Sequence, residues 1–216
     1  MNMNRSWIGV GLVMSAFFVA QPARAATITV FDSQPLFLAA IGPSTTFDFT
    51  QPDGPISLLG GLASISTVGG DAQGTVISNT LCGSTAGSVD CFPPVLFTLA
   101  PGLEAFGYDN LDFNGNEEAV VTVNFANGDP AQEFVFDLGG EPALTPIFFG
   151  VTSDAAISTV MIYSRDPGTT DVGQRANVID NVILAEGGTQ VVPEPATLLL
   201  LGTGLVASVR RWRCRA

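Results

Sequence analysis

The chain contains no lysine and no histidine. A Ser–His–Asp triad, a lysine Schiff base and a lysine-bearing phosphate loop are therefore excluded, as is any zinc site that needs imidazole. Gly83-Ser84-Thr85-Ala86-Gly87 lacks the spacing of a nucleophile elbow. Positive charge of any kind is scarce, with eight arginines against 20 acids and a net charge of −12. Between residues 26 and 191 the only cations are Arg165 and Arg175, whereas all the acids except Glu194 lie there. Such a field repels nucleic acid and anionic membrane surfaces. Both tryptophans, Trp7 and Trp212, lie near the chain ends, and Tyr108 and Tyr163 are the only tyrosines. Little is left for an aromatic platform on which sugars stack. Of three cysteines, Cys82 and Cys91 stand close together and are expected to form a disulfide in an oxidising compartment. Cys214 is left over.

What is present begins at the ends. Arg5 precedes an apolar run, Trp7–Ala20, and Ala23-Arg24-Ala25 supplies small residues at a cleavage site. Residues 1–25 read as a secretory signal peptide cut before Ala26 by signal peptidase. The other end reads Val192-Pro193-Glu194-Pro195, then the uncharged run Ala196–Val209, then Arg210, Arg211, Arg213 and Arg215. At about 1.5 Å per residue that run spans roughly 21 Å as a helix, short of a bilayer core of about 30 Å. It is expected to cross as one short transmembrane helix, with local thinning and snorkelling arginines making up the difference. The arginine cluster puts the C-terminus in the cytoplasm. Pro193 and Pro195 hold Glu194 in extended, accessible backbone.

This tail resembles the PEP-CTERM sorting signal, which also goes by the name ice-binding protein C-terminal domain; that label attaches to the tail and carries no ligand. The resemblance rests on Val192–Pro195, on Leu198–Leu201 with Gly202 and Gly204, and on the arginines. It implies that an exosortase, an integral-membrane cysteine peptidase, cuts near the Pro-Glu-Pro motif. The protein would be held in the inner membrane first and released to the periplasm, cell surface or extracellular matrix afterwards. Leu36–Ala40, Phe148–Asp154 with Ile157-Ser158, and Ile179–Val182 also resemble a secreted module carried by PEP-CTERM proteins, similar to jelly-roll carbohydrate-binding domains.

Between the ends, alternating β-branched and aromatic runs are separated by Gly, Pro, Asn and Asp. The pattern predicts about ten strands at short spacing and a helical turn after Asp32-Ser33-Gln34-Pro35. Val95–Leu99 and Leu103–Tyr108 read as a hairpin around Pro101-Gly102, Gln51–Pro55 as a turn, and Leu81–Pro94 as a cysteine-bearing loop. Ala119–Ala126 and Gln132–Leu138 read as a second hairpin, with Val121 and Val123 answered by Phe134 and Phe136. The expected fold is all-β, a two-sheet antiparallel β-sandwich of jelly-roll type. It would occupy residues 26–185, with a flexible stem at 186–191 and the sorting and anchor segment at 192–216.

Carboxylates and amides are the remaining source of chemistry. Asp109, Asp112, Asn114 and Asn116 stand in a loop between two strands that is rich in oxygen ligands for Ca²⁺, and Asp180, late on the final strand, resembles the structural calcium position of sugar-binding jelly rolls. The loop reads more readily as a turn whose Asx side chains bond their own backbone, and Asp180 also reads as an outward-facing strand acid. Glu117 and Glu118, or Asp109 and Asp112, are the pairs on which a carboxylate glycoside hydrolase would rest. The expectation is a non-enzymatic exported surface or matrix protein, with a calcium-dependent module for extracellular polysaccharide as the alternative.

Overall fold

The computed structural model describes residues 25–68, 74–83, 91–111, 117–137, 146–172 and 175–187. The expected signal peptide up to residue 24, Asp112, Asn114, Asn116 and the tail from residue 188 lie outside them.

Alternating apolar residues build two antiparallel sheets. One carries β1 (Ile28–Phe31), β2 (Ser44–Phe47), β3 (Gly54–Ile56), β6 (Gly74–Ile77), β7 (Thr80–Gly83), β9 (Leu103–Asn110), β12 (Ile147–Ser153) and β14 (Val178–Glu186). Its order is β1-β12-β9-β14-β7-β6-β3, with β2 also paired to β14. The other carries β4 (Leu58–Leu59), β5 (Ala63–Thr67), β8 (Val95–Leu99), β10 (Glu118–Phe125), β11 (Gln132–Asp137) and β13 (Ile157–Arg165), in the order β11-β10-β13-β8-β5-β4.

The sheets pack face to face. Phe97 of β8 meets Phe106 of β9 with ring centroids 5.2 Å apart, and Phe134 and Phe136 of β11 each lie 5.6 Å from Phe149 of β12. Val121, Val123, Val160 and Ile162 from one sheet and Val151, Ile179, Val182 and Leu184 from the other complete one continuous core. Burying such side chains contributes roughly 1.5–3 kcal/mol each. The β10–β11 hairpin forms as the sequence predicts, with Val121 opposite Phe134 and Ala119 opposite Phe136.

The expected hairpin of β8 and β9 does not form. These strands lie in opposite sheets, and the turn at Pro101-Gly102 is a corner between layers. Their facing phenylalanines stack across the core rather than along one sheet. Two further expectations are revised. Cys82 sits on β7 rather than in a loop, and β3 begins at Gly54 inside the expected Gln51–Pro55 turn.

The eight-stranded sheet is also covered from outside. Helix α1 (Gln34–Ala40) starts at Ser33, whose side chain makes no cap bond, with Pro35 in its first turn. It drives Phe37, fully buried, onto a second small cluster with Ala105, Phe148, Ile183 and Ala185. Gly107 and Gly150 are cross-strand partners directly beneath that ring. A Cβ at Gly107 would lie 2.9 Å from Phe37, and one at Gly150 2.7 Å from it. The glycine pair is thus a seat that any side chain would fill.

A β-bulge sets the inward face of β14. From Asp180 to Ile183 the chain advances three positions against two on β9, from Asp109 to Gly107. The extra residue, Asn181, takes the left-handed conformation (φ 47) that asparagine tolerates better than most. It returns Val182 to the core and leaves Ile183 for the outer cluster.

The Cys82–Cys91 disulfide forms as expected. Cys82 pairs with Val178 of β14, and the carbonyl of Cys91 accepts from the Asn177 N–H at 2.8 Å. The bridge therefore ties the loop after β7 to the start of the last strand. Gly83 permits this path, because a Cβ there would collide with the Pro93 carbonyl oxygen.

Phe37→Ala is expected to destabilise the domain by about 3–5 kcal/mol, and Gly150→Val is expected to detach α1; urea denaturation and amide exchange of α1 check both. Replacing Cys82 and Cys91 together by serine should cost about 2–3 kcal/mol, a difference that disappears when the wild type is measured in reductant.

Candidate functional sites

Alternation along β9 and β14 points Phe106, Tyr108 and Ile179 inward and leaves Asp109 and Asp180 on the outer face. The two aspartates are direct cross-strand partners. Asp109 and Asn110 belong to β9 itself, which corrects the expectation that Asp109 stands in a loop. Two positions weighed separately in the sequence are thus brought together.

Like charges directly opposite one another destabilise a sheet, and this pair is managed by its neighbours. Asn181 Nδ2 donates to Asp109 Oδ2 at 2.8 Å, and the Asn181 N–H donates to Asp180 Oδ1 at 2.7 Å. The bulge that repacks β14 is therefore also what turns an amide toward both carboxylates. Burial holds the Asp180 carboxyl above the usual aspartate range, with Asp109 and Asp48 raising it further and the Asn181 N–H opposing them. Asp48 follows β2 and accepts from the Thr50 hydroxyl at 3.0 Å. It also lines a cleft of about 400 Å³ with Phe47, Gln51, Pro52, Leu58 and Gly60. The aspartates interact through their fields, yet no group of three or more acidic or cysteine side chains among the described residues converges to hold a metal ion.

At the loop-rich end of the sandwich the two arginines meet the paired glutamates. Arg165 Nε donates to Glu118 Oε2 at 3.0 Å, and Arg175 Nε lies 3.8 Å from Oε1 of the fully buried Glu117. Arg175 Nε also donates to Asp166 Oδ1 at 2.8 Å. Glu117, just before β10, is fully buried, whereas Glu118, the first residue of β10, is partly exposed, and each lies beside its own arginine.

Both tyrosines are buried, Tyr108 entirely. Burial pushes the Tyr108 hydroxyl pKa up, with nearby Asn110 as the smaller, opposing effect. Neither ring is available as a stacking surface. Sequence reasoning missed the glycine seat, the arginine–glutamate pairs and the cleft. For the arginine pairs there was a signal, since a domain with two cations and two adjacent glutamates invites pairing.

A two-sheet antiparallel β-protein is the class this architecture defines. Residues 191–215 match the PEP-CTERM protein-sorting motif. That stretch contains Val192, Pro193, Glu194, Pro195 and the four terminal arginines, and it marks an exosortase-sorted protein that is membrane-anchored and then exported to the surface. No curated protein and no solved structure matches the chain. Among the described residues no helix is long and apolar enough to cross a membrane; the sorting tail lies outside them.

The raised Asp180 carboxyl gives a pH prediction with a definite sign. The native state holds that proton more tightly than the unfolded chain, so its contribution is fully present below about 3.8, the ordinary aspartate value, and is lost as pH rises through the folded pKa. Asp180→Asn is expected to flatten the fall in stability across that window, measured by urea denaturation of both proteins at stepped pH.

Proposed function

We propose that this chain is an exported surface or extracellular-matrix protein whose mature domain is a non-catalytic binding or structural module. Signal peptidase removes the leader, the tail holds the protein in the inner membrane with its C-terminus cytoplasmic, and an exosortase cuts near Glu194. The observation that carries the reading is the sorting motif at residues 191–215. The strand order supports a jelly-roll sandwich, since most successive strands from β7 to β14 cross between sheets. Engagement of Glu117 and Glu118 by arginines supports a non-catalytic role, and so does the lack of histidine and lysine.

A second reading, a calcium-dependent module for extracellular polysaccharide, is favoured by the facing Asp109 and Asp180. A divalent cation there would relieve their repulsion. Calorimetry of the mature domain with Ca²⁺, followed by retention on the polymer the cells secrete, separates this reading from a purely structural one; absence of heat and of retention removes it.

Replacing Pro193-Glu194-Pro195 by alanines is expected to leave the full-length protein in the membrane fraction. Intact mass and cell fractionation in an exosortase-positive strain and its deletion mutant check this. A released form that appears equally in both strains would sink the sorting reading.

A further inference from the structure

The first described residues are held by two turns. The Ala26 N–H donates to Asp129 Oδ2 at 2.7 Å, and the Thr27 N–H donates to Asp154 Oδ1 at 2.6 Å. The Asp154 N–H in turn donates to the Thr27 carbonyl at 3.2 Å. Asp129 lies in the turn between β10 and β11 and is itself fixed. Its Oδ2 accepts from Asn127 Nδ2 at 2.9 Å, and its N–H donates to Asn127 Oδ1 at 3.0 Å. Ala26 is partly buried against the main core, whereas Ala25 is exposed.

A backbone amide offers this carboxylate one hydrogen and no charge. Asp129 from the β10–β11 turn and Asp154 from the β12–β13 turn, both negative, accept from this segment. The Asp129 carboxylate, oriented by Asn127, stands 2.7 Å from the nitrogen that leader removal converts to an amine. We infer that the Asn127-Gly128-Asp129 turn is a binding site for the amino terminus that leader removal creates. Hydrolysis of the Ala25–Ala26 bond by signal peptidase consumes one water. The leader leaves with the new carboxylate on Ala25, and the Ala26 nitrogen becomes an α-ammonium. The existing 2.7 Å hydrogen bond to Asp129 becomes a charge-assisted ion pair, with Asn127 holding the carboxylate in place. Export thus completes the fold. The inference rests on the leader cleavage in the export reading and is independent of the exosortase step.

A carboxylate partner raises the pKa of an α-amine above its ordinary value of about 7.7–8.0. The stabilisation is then full below that value and is lost as pH rises through the raised one. The test uses the exported protein, its Asp129→Asn variant, and a chain with Gly-Ser placed before Ala26, in which the nitrogen stays an amide. Intact mass fixes the start; reductive methylation measures the amine; urea denaturation at stepped pH measures stability. The expected result is a start at Ala26 and methylation slower than in Asp129→Asn by about tenfold near neutral pH, as one pKa unit implies. A stability advantage over the extended chain should fade above the raised pKa. Equal methylation rates, or equal stability of the native-start and extended chains, would overturn it. Should Asp129→Asn fail to fold, the extended chain alone decides. A mature start elsewhere also overturns the inference while leaving tail-dependent sorting intact, and retention of the tail in both strains overturns sorting without touching this pair.

Discussion

Strand β9 is buried along nearly its whole length on both faces, and much of the architecture depends on satisfying that condition. A central strand sandwiched between two apolar layers needs large residues toward one layer and small ones toward the other. Phe106 and Tyr108 fill the space between the sheets, while Ala105 and Gly107 leave room outside for Phe37. The neighbouring strands follow suit, with Phe149 and Val151 inward and Gly150 outward on β12. On β14, Ala185 answers Ala105 across the ladder. One short helix packs closely over this part of the outer face because Gly107 and Gly150 beneath Phe37 carry no side chains.

The same strand carries the polar end of the story. Where β9 passes beyond the shelter of α1, its outward position is Asp109 rather than glycine or alanine, and the bulge on β14 supplies Asn181 to meet it. Packing and electrostatics here share one device: the extra residue that resets the core register also brings an amide to the facing acids. The arginines act likewise at the loop-rich end, where Glu117 is sealed in the interior with Arg175 3.8 Å from its carboxylate.

The all-β character, the two-sheet arrangement, the β10–β11 hairpin, the disulfide and the sorting tail were legible in the sequence, because each rests on local pattern or on a composite motif. The partition of strands between layers was not. Pro101-Gly102 marks a reversal, but nothing local says whether the returning strand pairs beside the first or crosses to the opposite sheet; the aromatic contact that decides it lies between Phe97 and Phe106. Likewise, Gly107 and Gly150 look like strand-weakening residues until their pairing under Phe37 is seen. Asp109 and Asp180 are far apart in sequence, and only the β9–β14 register makes them neighbours.

The last strand also has a mechanical meaning. β14 runs between β9 on one side and β2 with β7 on the other, and it ends at Glu186, level with Leu103 at the start of β9. A pull transmitted through Gly187 is therefore directed along an interior strand. The ladder bonds on both sides of β14 are then loaded together in shear instead of being peeled apart in turn, so the domain meets tension on its tether with the most resistant part of its sheet.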